Sequence, residues 1–317
     1  MRTKLSIGKL RGLQQCTSEK GTFTCLALDH RQNLRKINPL FVDDAELSRF
    51  KMDVTSTLAD LSTAVLLDPE VSAAQAIASG SIPGKTAFVV AVESTGYGGE
   101  PTARQSQVLP GWSVEKAKRM GASMVKLLVY YHPDSPTAPE ILSIVRKVAD
   151  ECHRYDLGLM LEPLSYSLDA AKKISSSEKR YVVTESVRHL LIPGVDVLKA
   201  EFPLDIAEDT DEATWAQACG EISALSPVPW IVLSAAVDYE VYLHQVEIAC
   251  RVGASGSAVG RAVWQEAIHM DREARLAFLR KTGRERLARL TALCSKVAKP
   301  VSDFYTADAP FDWYKTY

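Results

Sequence analysis

Short apolar, β-branched runs recur along the chain at roughly 30–40-residue spacing: "TFTCLALD" (22–29), "TAVLLDP" (63–69), "AFVVAVES" (87–94), "MVKLLVYY" (124–131), "LGLMLEPL" (157–164), "VDVLKAEF" (195–202), "PWIVLSA" (229–235) and "GSAVGRAV" (256–263). The stretches between them change period. "DDAELSRFKMDVTSTLADLS" places apolar residues three and four apart, "PTAPEILSIVRKVADECHRYD" opens with Pro139 and Glu140, and "DYEVYLHQVEIACRVGA" ends on Gly253. These are helical signals with recognisable starts and stops. Strand and helix alternating in this way predict a parallel α/β fold. No G-x-G-x-x-G follows the first run, and "GYGG" after the third has the wrong order, so a dinucleotide-binding open sheet loses its support. No linker divides the chain, and "SSSEKR" (175–180) is short enough to be a loop tip. Residues 1–317 therefore read as one (β/α)8 TIM barrel domain, with an N-terminal helical cap and a C-terminal helical extension around 266–296.

Two runs break the apolar pattern. Lys126 lies inside "GASMVKLLVYYHP", and Lys199 and Glu201 lie two apart in "GVDVLKAEFP", hence on one strand face. Lysine is almost never fully buried unless paired, so two such intrusions suggest a shared polar site. Composition narrows what that site serves. A formal net charge of −2, scattered basic residues and 8% aromatics give no footprint for nucleic acid. No apolar run approaches the roughly 18 residues of a membrane span, and "MRTKLSIGKLRGLQQCTSEK" lacks a signal-peptide core. Six cysteines lie far apart with no C-x-x-C pair. The expectation is a cytoplasmic protein with reduced thiols, in which Cys25 is a small core residue.

In a barrel of this type, polar residues at the C-terminal strand ends face the active-site mouth. Strand by strand these are Asp29, Asp68, Glu93, Lys126, Glu162, Lys199 with Glu201, Ser234 and Arg261. Of six histidines only His30 and His132 fall near strand ends, a poor basis for a zinc or iron site. A carboxylate-only Mg²⁺ site built from Asp29, Asp68, Glu93, Glu162 and Glu201 stands as an alternative, against the repulsion of two interior lysines. Lysine chemistry fits better. An unprotonated amine attacks a ketone to form a Schiff base, and burial beside a second ammonium lowers lysine from its usual value of about 10.4. Carboxylates nearby would carry protons. The plainer reading is that Lys126 and Lys199 pair with Glu162 and Glu201 in a stabilising interior network.

The motifs "LALDHR", "LLDPE", "VKLLVYYHP", "LEPLSY", "VLKAEFP", "LSAAV" and "VGRAVW", in order over residues 22–264, resemble the class I tagatose-1,6-bisphosphate aldolases and the related sulfofructose-phosphate aldolases. The resemblance implies a metal-free, cofactor-free lyase that forms a Schiff base with dihydroxyacetone phosphate. It implies Lys199 as the Schiff-base lysine and Glu162 as the general acid/base. Lys126 would lower the nucleophile's pKa, and Asp29 would orient substrate and lysines. Glycine-containing turns after strands seven and eight of a barrel bind phosphate well. Ser234, Gly260 and Arg261 are placed there, and the resemblance puts the dihydroxyacetone-phosphate end at them. For a second anion, phosphate or sulfonate, the candidates are Arg31 first, then His30, Arg104 and Lys85. "STGYGG" (94–99) lacks the lysine expected after strand three in bisphosphate enzymes, which leaves the sulfosugar substrate open. The partner implied is a small sugar phosphate, neither nucleic acid nor membrane, with a homo-oligomer expected. A sugar-phosphate-sensing regulator with little turnover is the non-enzymatic alternative. The tail ending in Tyr317 is read as docked or mobile, although some class I aldolases use a C-terminal tyrosine.

Overall fold

The computed structural model describes residues 2–315 and 317. Its centre is a closed barrel of parallel strands: β1 (Phe23–Ala27), β2 (Ala64–Leu67), β3 (Ala87–Ala91), β4 (Met124–Tyr131), β5 (Gly158–Ser165), β6 (Val197–Ala200), β7 (Trp230–Leu233) and β8 (Gly256–Val259). β8 pairs with β1 from Gly256↔Phe23 to Val259↔Leu26, which closes the ring. Each of the predicted apolar runs supplies one strand, because strands covered on both faces read as continuous apolar segments. A Cβ at Gly256 would lie 2.0 Å from the Phe23 carbonyl oxygen, so the closing seam requires glycine there.

Helices cover the barrel where the 3.6-residue pattern places them. Asp44–Leu58 starts at Asp43, whose side chain accepts from the Ala45 and Glu46 N–H groups. Ala138–Arg154 carries proline in its first turn, and Tyr239–Arg251 runs out just before Gly253, at φ +117°. "SSSEKR" is not a loop tip. Ser175 caps the helix Ser176–Leu190 by accepting from the Glu178 N–H, and Ser-x-x-Glu is a helix-start signature that the polar composition concealed.

The N-terminal helix Ile7–Gln15 lies under the barrel. A Cβ at Gly12 would sit 2.3 Å from the Ser123 carbonyl, just before β4, and Lys9 reaches Asp196, just before β6, at 2.8 Å. Both strands are approached at their N-terminal ends, so this cap closes the end opposite the mouth. The chain's last residue docks there too: the Tyr317 hydroxyl contacts Asp156 and accepts from the Gly8 N–H. That docks Tyr317 at the closed end, far from the mouth. The C-terminal extension comprises Arg272–Phe278 and Arg284–Val297, joined by a π-helical turn at Leu279–Gly283. Cys16, Cys25, Cys152, Cys219, Cys250 and Cys294 are free and buried. No helix among the described residues is long and apolar enough to cross a membrane.

Candidate active site

A cavity of about 790 Å³ opens at the C-terminal ends of the strands and holds both anomalous lysines. Lys126 on β4 and Lys199 on β6 are separated by β5, and β5 carries Glu162 between them. The register pairs Leu128 with Glu162 and Leu161 with Leu198, so the carboxylate lies beside both lysines. One oxygen, Oε2, lies 3.0 Å from Lys126 Nζ and 2.8 Å from Lys199 Nζ. Both contacts are ionic rather than aligned hydrogen bonds, since that oxygen has no donor at hydrogen-bonding geometry among the described residues.

The two lysines differ in their surroundings. Lys126 also donates to Asp29 at 2.6 Å and to Glu93 at 2.7 Å. Burial works against its charge, but Asp29, Glu162 and Glu93 together outweigh it and hold Lys126 well above the ordinary lysine value. It is a fixed ammonium. Burial likewise opposes the charge on Asp29, yet Lys126 and Lys199 keep that carboxyl well below the usual range. Among the described residues Lys199 contacts a single carboxylate, and the cavity reaches it. An amine with one proton acceptor in contact and a permanent positive charge nearby is the arrangement a nucleophilic lysine needs. Below it, burial pushes the Cys25 thiol up to about 12, in keeping with an inert core residue.

Other residues fall differently from expectation. Glu201 is not the partner of Lys199. β6 ends at Ala200, and the Glu201 carboxylate accepts from the Ser165 N–H at 2.6 Å and the Ser165 hydroxyl at 2.7 Å. Asp68 leaves the mouth altogether: it pairs with buried Lys51 and accepts from the Glu70 and Val71 N–H groups. The carboxylates offered for a Mg²⁺ site are thus spent on lysines, serine and backbone. Among the described residues no group of three His, Cys, Asp or Glu side chains is arranged to hold a metal ion. Glu93, by contrast, joins the centre. One of its carboxylate oxygens takes Lys126, and the other accepts from the Leu128 N–H at 3.1 Å.

Ser234, Gly260 and Arg261 come together at β7 and β8. The Ser234 hydroxyl accepts from the Gly260 N–H at 3.1 Å, so that N–H is already occupied. The helix that follows is only one turn, Arg261–Trp264. Uncommitted donors lie beside it. Arg261 is half-buried, lines the cavity and has no acidic partner among the described residues; burial lowers its pKa, opposed only by Asp29. Ala235 and Ala236 adopt left-handed φ of 40° and 61°, and no described group accepts from their N–H groups. Such a strained turn leaves consecutive amides open to an anion. Nothing in "SAA" announces it, since left-handed backbone is expected of glycine or asparagine.

The second-anion candidates do not survive as a group. The Arg31 guanidinium is buried between the Glu70 carboxylate and the Glu93 carbonyl, the latter at 3.0 Å, and is neutralised by protein. His30 lines the cavity, but burial, with help from Arg261 and Lys199 against Asp29, lowers it to about 3, so it carries no charge at neutral pH. Lys85 precedes β3 and so lies at the closed end of the barrel. Arg104 sits on the hairpin Gly98–Gln105, stacked 4.3 Å from the Tyr97 ring centroid and 4.6 Å from that of Tyr166. The residue missed was Lys36. It is exposed on the rim after β1, lines the cavity and has no acidic partner among the described residues.

A (β/α)8 enzyme with a lysine–carboxylate–lysine centre is the class that fold and site define. Within it, the chain belongs to the DeoC/LacD family of aldolases, whose model matches residues 23–266, and it is accordingly a carbon–carbon lyase. A tagatose 1,6-diphosphate aldolase of Listeria monocytogenes serotype 4a (strain HCC23) is 31% identical, with 94% of each chain covered. Tagatose 1,6-diphosphate aldolase 2 of Enterococcus faecalis (strain ATCC 700802 / V583) is 30% identical, covering 93% of this chain and 96% of that one. Among solved structures, an archaeal fructose 1,6-bisphosphate aldolase superposes with a TM-score of 0.61 at 20% identity, over 91% of this chain and 99% of that one. At that identity the likeness speaks for the barrel alone.

Proposed function

We propose that the protein is a Schiff-base ketose-phosphate aldolase in which Lys199 is the nucleophile. The observation that carries this reading is the Glu162 carboxylate placed between a fixed ammonium, Lys126, and a second lysine with no other acidic contact. Lys199 gives its proton to Glu162, and its nitrogen bonds to the C2 carbonyl carbon of the ketose. Glu162 returns that proton to the oxygen and then carries a second one from the nitrogen to it, so the oxygen leaves as water and a protonated imine remains. A base then takes the C4 hydroxyl proton, the C3–C4 bond breaks, and its electron pair moves through C3 into the imine. A three-carbon aldehyde departs. The enamine is protonated at C3, and hydrolysis frees dihydroxyacetone phosphate and Lys199. No metal is needed, because the imine nitrogen accepts the electrons.

The cations around the cavity also speak to substrate. Lys126, Lys199 and Arg31 are paired, whereas Lys36 and Arg261 have no acidic partner among the described residues. Two uncommitted cations suit a substrate with two anionic ends: the C1 phosphate at Arg261 and the Ala235–Ala236 turn, and a distal anion at Lys36. Tagatose or fructose 1,6-bisphosphate and 6-deoxy-6-sulfofructose 1-phosphate meet that description. A single exposed lysine asks for no more than one charge at the far end, so the sulfosugar stays within the reading. The relatives' names favour tagatose bisphosphate. The test is a cleavage assay on all three ketoses with chelator present. Turnover of at least one that survives chelation, with KM raised by Lys36→Gln, supports the reading. Failure on all three, or loss of turnover with chelator, overturns it.

A further inference from the structure

We infer that Tyr130 touches the aldehyde half of the substrate and sets the face on which the C3–C4 bond is broken or made. This rests on the Schiff-base reading above. Along β4 the side chains of Lys126, Leu128 and Tyr130 share one face, and all three line the cavity. Their neighbour Tyr131 points the other way and is tied to His189 Nδ1 at 2.8 Å. The register pairs Leu128 with Glu162 and Tyr130 with Leu164, so Tyr130 stands two residues nearer the mouth than the catalytic carboxylate. Its hydroxyl has no partner among the described residues, although the side chain is half covered.

The rest of the ring is held firmly. Arg104 lies 5.3 Å from its centroid, and Tyr97 meets it edge-on at 5.1 Å. A fixed aromatic with a free phenol is a hydrogen-bond donor waiting for a ligand, and burial raises its pKa, so it keeps its proton. Placement in the ring of strands says which part of the ligand it meets. The imine forms on β6, and the C1 phosphate lies at β7 and β8. From the imine the carbons beyond C3 cross the mouth past Glu162 toward Lys36, and Tyr130 stands above Glu162 beside that path, its hydroxyl without a partner among the described residues. Held between these two groups, the aldehyde oxygen has one orientation, and that orientation decides the configuration at C4.

The test is Tyr130→Phe, which removes only the hydroxyl, with Tyr131→Phe as the matched neighbour. Three quantities are read: borohydride trapping of dihydroxyacetone phosphate on Lys199, kcat/KM for cleavage, and the ratio of tagatose to fructose bisphosphate made from dihydroxyacetone phosphate and glyceraldehyde 3-phosphate. Trapping within about twofold of the parent, kcat/KM lower by about tenfold and a shifted epimer ratio in Tyr130→Phe alone are expected. An unchanged ratio, or trapping lost in parallel with cleavage, overturns the assignment. If the parent protein traps nothing, the Schiff-base reading fails instead.

Discussion

Two kinds of buried lysine occur in this molecule. Lys51 with Asp68 and Lys9 with Asp196 are closed pairs. Asp68 also receives the Ser72 hydroxyl and the Glu70 and Val71 amides, and Asp196 receives the Leu159 N–H at 2.9 Å. Lys126 and Lys199 instead share Glu162, while Asp29 Oδ1 is buried with no partner among the described residues. A satisfied pair holds elements together and has nothing left to react. The mouth keeps unmet hydrogen-bonding capacity next to a cavity, which a folded protein tolerates where a ligand or a reaction uses it.

Substitutions can break that contrast in order of expected effect. Lys199→Ala is predicted to lower kcat by roughly 10⁴-fold or more, with the protein still folded by circular dichroism. Near-normal turnover would remove the nucleophile from the scheme. Glu162→Gln should cost about 10²–10⁴-fold while leaving a fraction of Lys199 trappable by borohydride. Lys126→Met and Lys51→Met each strand buried carboxylate and should each destabilise by about 3–5 kcal/mol in urea unfolding. Only the first should also lower kcat of the folded enzyme by tenfold or more; equal kcat losses would erase the distinction. The last effect, absent at neutral pH, concerns His30. Its folded value, about 3, lies below the unfolded value of about 6.5. The unfolded chain therefore binds a proton first, and stability, complete above pH 6.5, declines as pH falls toward 3. His30→Gln should flatten the dependence of Tm on pH in that window.

The barrel was legible because its signals are local: apolar runs of strand length and helices with caps at their ends. The centre was legible as well, since a lysine inside an apolar strand is visible without coordinates. What the sequence hid were pairings and backbone states. Glu201 follows Lys199 by two residues, but the strand ends between them and its carboxylate turns to Ser165. Arg31 follows Asp29 by two residues, yet Glu70, from the next βα loop, claims it. Lys36 on a polar helix resembles any solvated lysine, and only the cavity picks it out. The left-handed Ala235–Ala236 turn has no residue signature at all.

The most direct measurement is borohydride reduction in the presence of dihydroxyacetone phosphate, followed by peptide mass mapping. Both lysines are in the cavity, so the experiment lets the protein choose. Lys126 is held charged by three carboxylates, and the adduct is predicted on Lys199 alone. An adduct on Lys126, or none on folded protein, would contradict the assignment of Lys199 as the nucleophile.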